Sequence, residues 1–339
     1  MIKIAVVILN WNGKDLLEKF LPSIVKYSNP DIAEIYLADN ASTDDSIEIV
    51  LQYFPTIKII KNNENGGYAK GYNDALKNIK ADIFALVNSD VEVTEDWLAP
   101  VIEYFEQHQN TAIIQPKIVD FKNKQYFEYA GAAGGFIDKF GYPFCRGRIF
   151  DSVEKDTAQF DLITDIFWAS GACFFVRSDV FKKLNGFDET YFAHQEEIDF
   201  CWRAKNDGFD IKYLPNSTVY HVGGATLSAS NPKKTFLNFR NSLITLLKNL
   251  PANKVVGIIF LRLILDGIAG IKFLFELQPK HTFAIIKAHF SFYRNVAKNW
   301  KKRNETPDKI TNYYHTKSIV YQFYIKKIRL FSAINPEQY

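Results

Sequence analysis

Residues His194-Gln195-Glu196-Glu197-Ile198-Asp199-Phe200-Cys201-Trp202-Arg203 crowd three carboxylates into four positions. Carboxylates at that density serve metal ligation, proton transfer, or the favourable field at a helix start. Positions 196, 197 and 199 cannot share one helical face, so the three divide between roles, and Arg203 lies where it can pair with Asp199. A second acidic segment, Asn88-Ser89-Asp90, closes an apolar run. An amide, a hydroxyl and a carboxylate in a row suit Mg²⁺ or Mn²⁺ shared with phosphate oxygens, or an ordinary Asx turn. Asp39 follows another apolar run, where a carboxylate can accept from a ribose or base, or cap a turn. The segment Asn65 to Asn73 is a Gly-rich loop entering a helix. It fits neither dinucleotide nor P-loop spacing, and is read as a phosphate-facing helix start or a tightly packed turn. His221 could ligate a metal as neutral imidazole or be structural. Trp168 and Trp202 read mainly as core, with Trp168, just before Ser170-Gly171-Ala172, the better candidate for a sugar contact.

The elements that must position these groups follow from periodicity. Ile4–Leu9 is a short apolar, β-branched run that predicts a strand buried on both faces, and Glu34–Ala38, Ile57–Ile60 and Ile83–Val87 read as the second, third and fourth strands. Between them, Leu16 to Val25, Asp44–Phe54 and Tyr68–Ile79 carry helical spacing. Strand–helix alternation with short connections means a parallel α/β sheet, whose ligands bind at the carboxyl ends of the strands. Asn10-Trp11-Asn12, Asp39-Asn40 and Asn88-Ser89-Asp90 all fall at those ends. Further on, a helix is expected over Glu95–His108, a strand over Ile166–Val176 interrupted by Ser170-Gly171-Ala172, and a helix over Glu196–Asn206 stopped by Gly208. Short extended pieces are expected at Ile211–Tyr213 and Thr218–His221.

Composition separates the chain into two regions. Residues 1–232 hold 22 Lys and Arg against 33 Asp and Glu, a balance of −11, while residues 233–339 hold 19 against 5, a balance of +14. The reading is therefore a catalytic domain over 1–232 and a basic, amphipathic helical region over 233–339. Hydrophobic residues make up 47% of the chain, enough to bury a sizeable core and exclude global disorder. Three dispersed cysteines without CxxC spacing predict buried thiols in a reducing compartment. The first residues lack the basic and cleavage features of a secretory signal, and a cytoplasmic location is expected.

The ordered segments Val6 to Gly13, Ala38 to Asp44, Asn65 to Asn73, Leu86 to Asp90, Trp168 to Ala172, Glu196 to Arg203 and His221-Val222-Gly223-Gly224 together resemble the family 2 glycosyltransferases. Within these, the rhamnosyltransferase-like branch of bacterial cell-surface polysaccharide assembly is the nearest in pattern, over about residues 3–225. The resemblance implies a GT-A fold: an α/β domain with a mostly parallel central sheet flanked by helices, here followed by the helical basic region. It implies an inverting transfer from a nucleoside-diphosphate sugar, dTDP-rhamnose-like or UDP-linked, to a hydroxyl of a saccharide or lipid-linked acceptor. By the same resemblance Asp39 contacts the base with Trp11 beside it. Asn10, Asn40, Gly67, Asn73, Asn88 and Ser89 complete the donor set. Asp90, with His221, would hold Mg²⁺ or Mn²⁺. Glu197 is the implied general base with Glu196 as its rival, and Trp168 and Gly171 are placed toward the acceptor. Two positions depart from the family pattern: Asn88 stands where the first acidic residue of the DXD motif is expected, and Glu197 where Asp is usual.

Lys254–Phe275 is strongly apolar but contains Arg262, Asp266 and Lys272. A charge near a bilayer centre costs roughly 2.5–3.5 kcal/mol, which disfavours a clean span and suits a helix lying in the interface of an anionic membrane. The alternative is helices packed on the catalytic domain with a solvated basic face. A peripheral site on the inner face of the cell membrane is expected, where a lipid-linked acceptor would be met. Nucleic acid is disfavoured because the remaining two-thirds of the chain is acidic and carries no recognition motif. A nicotinamide dehydrogenase is disfavoured because its Gly fingerprint is missing after the first strand. A non-catalytic sugar-nucleotide-binding or membrane scaffold remains the competing reading.

Overall fold

The computed structural model describes residues 2–223, 231–305 and 308–334; Gly224, the last residue of the His221 motif, lies outside them. The first half alternates as the periodicity predicts: β1 (Ile4–Asn10), α1 (Lys14–Tyr27), β2 (Ala33–Asp39), α2 (Ser46–Tyr53), β3 (Lys58–Lys61), α3 (Gly67–Leu76), β4 (Ile83–Asn88). There follow β5 (Val91–Val93), α4 (Ala99–Gln107) and β6 (Thr111–Asp120). Four short strands, β7 (Gly135–Ile137), β8 (Pro143–Cys145), β9 (Arg148–Ile149) and β10 (Ser152–Val153), form a small antiparallel sheet. Then come β11 (Thr164–Asp165), β12 (Cys173–Arg177), α5 (Ser178–Lys183), α6 (Glu196–Asn206) and β13 (Asp210–His221). The chain continues through α7 (Pro232–Asn249), α8 (Ala252–Phe275) and α9 (Pro279–Asn304).

The main sheet runs β11-β13-β6-β12-β4-β1-β2-β3, with β5 paired to β13. Strands β3, β2, β1 and β4 are mutually parallel. Strand β12 is antiparallel to both neighbours, and β6 and β13 are parallel to one another. Because β12 runs backwards, its start reaches the same sheet edge as the carboxyl ends of β1, β2 and β4. Register fixes this edge: Asn10 pairs with Asp39, Leu9 with Asn88, Val87 with Cys173, and His221 with both Val91 and Asp120.

Three differences from the sequence expectation have local causes. Periodicity predicts no element over 111–120, where β6 is nearly all buried, because Gln115, Pro116 and Lys117 interrupt its apolar pattern. Lys117 is stabilised there by ion pairs with Asp156 and Asp161. The strand expected over 166–176 with a break at Ser170-Gly171-Ala172 is broken more widely: Trp168-Ala169-Ser170 are also buried outside it, and only Cys173–Arg177 form β12. The two extended pieces near 211 and 220 are one strand, β13, irregular between Leu214 and Thr218.

The expected division at 232/233 is crossed by buried polar contacts. Lys248 Nζ of α7 lies 2.8 Å from Asp199 Oδ2 of α6 and 2.8 Å from Asp188 Oδ2. Asn249 Nδ2 donates to Asp199 Oδ1 at 2.8 Å, and Lys302 of α9 reaches Asp188 at 2.5 Å. Leu243, Leu247, Tyr313 and Phe331 belong to the same apolar core as Phe174 and Trp202. Among the described residues no helix is long and apolar enough to cross a membrane.

Candidate active site

The edge of the sheet gathers the polar strand ends. Asp39 is buried and its carboxylate holds its own loop: Asn10 Nδ2 donates to Oδ1 at 3.0 Å, Ser42 N to Oδ2 at 2.9 Å and Ser42 Oγ to Oδ1 at 2.5 Å. The loop turns through Ala41 at φ +57°, and Asn12 at φ +49° accepts from Thr43 N at 2.7 Å. Trp11 follows Asn10, the register partner of Asp39, at the same edge and is 49% exposed. A Cβ on Gly13 would sit 2.4 Å from Asn10 Oδ1 and 3.6 Å from Ser89 Oγ, so these three residues are packed together. Asn88 and Ser89 keep partial exposure.

Asp90 and His221 meet where β13 ends beside β5. His221 Nε2 lies 3.1 Å from Asp90 Oδ1, and Val222 N donates to Asp90 O at 3.2 Å. The other ring nitrogen, Nδ1, faces Glu128 Oε1 at 3.3 Å. Glu128 is buried and anchored through Oε2, which accepts from Ala130 N at 2.6 Å and Gly131 N at 3.2 Å. Burial opposes a charge on His221, but the contacts with Asp90 and Glu128 prevail and push its pKa up to about 10. Sequence reasoning missed Glu128, since it stands in an irregular Gly- and aromatic-rich stretch with no periodic signal. Only the fold brings it to His221.

The acidic cluster occupies the start of α6. Glu196 is buried and Glu197 partly exposed, and an Oε2 atom of each is buried without a hydrogen-bond partner. Burial, together with the neighbouring Glu197, raises Glu196 well above the usual carboxylate range. Burial also raises Glu197, to about 7, against helix-start N–H groups that favour its ionised form. Two carboxylates poised this way suit proton transfer better than capping. Asp199 differs. Burial works against its charge, but Lys248 and Arg203 hold it below the ordinary value, and Arg203 Nε donates to it at 2.9 Å. It therefore ties α6 to α7.

The segment leading into the cluster is strained. Phe192, His194 and Gln195 have φ of +64°, +68° and +74°, a conformation costly for side chains with a Cβ and concentrated at functional sites. Asn241 of α7 fixes it, with Nδ2 at 2.7 Å from His194 O, 3.0 Å from Ala193 O and 3.1 Å from Tyr191 O. From the other side, Tyr68 N at the start of α3 donates to Phe192 O at 2.7 Å. Gly67, at φ +76°, allows this: a Cβ there would lie 2.2 Å from Phe192 O.

The remaining residues expected in the site fall in two groups. Gly67 serves packing, and the first α3 amides are taken by Phe192 O, so the Gly-rich loop does not present an open phosphate cradle. Asn40 is buried, donating to Gly67 O at 3.0 Å and accepting from Asn62 at 2.7 Å. Asn73 is spent on Phe187, donating to its O at 2.8 Å and accepting from its N at 2.9 Å. Trp168 is 3% exposed with Nε1 donating to Phe136 O at 2.9 Å, so the structure places it in the core rather than on an acceptor surface. Gly171 does face the cluster region: its O accepts from Tyr68 Oη at 2.9 Å, and Tyr68 feels the charges of Glu196 and Glu197. Cys145 feels both Glu128 and Glu197, which brings the histidine and carboxylate centres within electrostatic reach of one thiol.

The family model described as Glycosyl transferase family 2 matches residues 5–184, ending before the acidic cluster and His221. N-acetylglucosaminyl-diphospho-decaprenol L-rhamnosyltransferase of Mycobacterium tuberculosis is 23% identical over 231 residues, 64% of this chain and 75% of that protein. Rhamnosyltransferase WbbL of Escherichia coli is 24% identical over 227 residues, 64% of this chain and 82% of that protein. Among solved structures, GalNAc-T7 with UDP, GalNAc and Mn²⁺ superposes with a TM-score of 0.64 at 14% identity. That match takes in 96% of this chain and 57% of the GalNAc-T7 chain, and shows a shared fold.

Proposed function

The chain belongs to glycosyl transferase family 2, and from that premise we propose inverting transfer of a sugar from a nucleoside-diphosphate donor to a hydroxyl of a saccharide or lipid-linked acceptor. One observation carries the reading. An Oε2 atom of Glu196 and of Glu197 is buried without a hydrogen-bond partner, and both carboxylates act on Tyr68. The Tyr68 hydroxyl donates to Gly171 O just before β12, at the sheet edge where the strand ends carrying Asp39 and Asp90 also lie. Relatives named as rhamnosyltransferases favour a dTDP-linked deoxysugar, with UDP-sugars next in view of the UDP held by GalNAc-T7.

Among the described residues no group of three or more His, Cys, Asp or Glu forms a ready metal cluster. The donors that are present nevertheless fit a divalent cation that takes its other ligands from the donor diphosphate. Asp90 and His221 offer an oxygen and a nitrogen 3.1 Å apart; Nε2 would give up the proton it shares with Asp90 to a cation bound there, while Glu128 accepts from Nδ1–H and orients the ring. Mg²⁺ or Mn²⁺ held there would stabilise charge on the departing diphosphate. Trp11 would lie beside the base, and the Asp39 loop would form the wall of its pocket. Glu197 would take the proton of the acceptor hydroxyl as it attacks the anomeric carbon from the face opposite the diphosphate. A single displacement then inverts that centre without a covalent enzyme intermediate.

The test is a transfer assay over a panel of nucleoside-diphosphate sugars with Mn²⁺, read as anomeric configuration of the product. An inverted glycoside is expected. Donor binding without hydrolysis or transfer would overturn the enzymatic reading and leave a scaffold.

A further inference from the structure

Helix α8 is turned inside out relative to a helix of a water-soluble core. Its charged residues in mid-helix point inward: Arg262 is 3% exposed, donates to Phe140 O at 2.8 Å and lies over the Tyr142 ring at 3.8 Å. Asp266, fully buried, faces Arg262 at 3.5 Å and His289 of α9 at 3.3 Å. Its outer face is apolar instead. Val256, Phe260, Ile264, Ile268, Ile271 and Phe275 recur three and four apart, and each is at least 47% exposed. In water such a stripe is unfavourable, because apolar area of this kind contributes stability only when covered.

Helix α9 continues the surface and adds charge. Phe283, Ile286, Phe290 and Tyr293 are exposed along one stripe. Lys280, Lys287, Arg294 and Lys301, also exposed, recur every seven residues and so form a row along the same helix. An apolar stripe with a basic row beside it is the pattern of a helix lying in a membrane interface. A second copy of the chain fits less well, because a symmetric contact through the stripes would bring two basic rows close together.

We propose that the outer face of α8 and α9 docks in plane on an anionic bilayer, the apolar stripe entering the headgroup boundary and the basic row contacting lipid phosphates. The inward Arg262–Asp266–His289 contacts keep charge out of that boundary. The inference deepens the proposed function, on whose reading a lipid-linked acceptor would be reached at such a surface, but it can fail independently of it.

The experiment is flotation of the full chain with phosphatidylcholine vesicles and with phosphatidylcholine–phosphatidylserine vesicles, at low and high salt. Binding that requires phosphatidylserine and weakens with salt is expected. Phe260→Ser with Ile268→Ser should lower partitioning roughly tenfold or more. Lys287→Gln with Arg294→Gln should lower it about thirtyfold on phosphatidylserine vesicles, near fivefold per charge, with little change on phosphatidylcholine. All four positions are exposed, and transfer to a water-soluble acceptor should be unchanged, which separates this outcome from failure of the catalytic reading. A folded chain that does not float with phosphatidylserine vesicles would overturn the proposal. So would a stable dimer by sedimentation that the Phe260→Ser, Ile268→Ser pair dissociates, since a second copy would then own the face.

Discussion

Replacing Glu197 by Gln preserves the size of the side chain and removes its capacity to take a proton, which isolates the proposed base. Burial moves the Glu197 carboxyl from the ordinary 4.5 to about 7, so its ionised form predominates only above that value. Wild-type turnover with both substrates saturating should therefore fall about tenfold per pH unit on the acid side. The Gln variant should lose about 10²–10⁴ in kcat and show no such limb. A second readout follows from linkage. Between the unfolded value near 4.5 and the folded value near 7 the native state keeps a proton that the unfolded chain has released. Stability therefore falls as pH rises through that window, by up to about 3 kcal/mol. Gln does not titrate, so the variant should gain in Tm over wild type above about pH 8 and gain least below about pH 5. Retained kcat together with that gain in Tm would refute the base assignment while leaving the burial argument intact. Loss of turnover in Glu196→Gln alone would transfer the role to its neighbour.

Three further outcomes test how the site is built. Glu128→Gln should weaken Mn²⁺ binding by about 10–100-fold, because the carboxylate that orients His221 is lost; calorimetry with Mn²⁺ and a nucleoside diphosphate measures it without turnover. Unchanged affinity would separate Glu128 from the metal pair. Lys248→Met leaves Asp188 and Asp199 buried with fewer partners and should cost about 3–5 kcal/mol by denaturant unfolding; a loss below about 1 kcal/mol would mean that Arg203 and Lys302 suffice. Gly67→Ala forces a Cβ against Phe192 O at a positive φ and should destabilise by more than roughly 1 kcal/mol while displacing the strained 192–195 segment. A drop in kcat beyond the loss of folded protein, seen after correcting for active fraction, checks the second effect.

The amino-acid sequence by itself determined the parallel half of the sheet, since β1 and β4 are buried apolar runs and β2 and β3 alternate with helices of clear periodicity. Strand ends follow from strand limits, so Trp11, Asp39 and Asp90 could be placed on one edge before any coordinates. The split of the acidic cluster was legible too, because Asp199 and Arg203 are four apart on a helix. Tertiary structure alone decided the rest. Gly67, Asn40 and Asn73 look like ligand contacts in sequence, yet each is satisfied by backbone or side chains far along the chain. Glu128 gains its meaning only when an irregular segment folds against the end of β13. The inward turn of Arg262 and Asp266 depends on Phe140, Tyr142 and His289, none of which lies on α8. Local spacing records which residues can share a face of one element; which way that face points is set by contacts between elements distant in sequence.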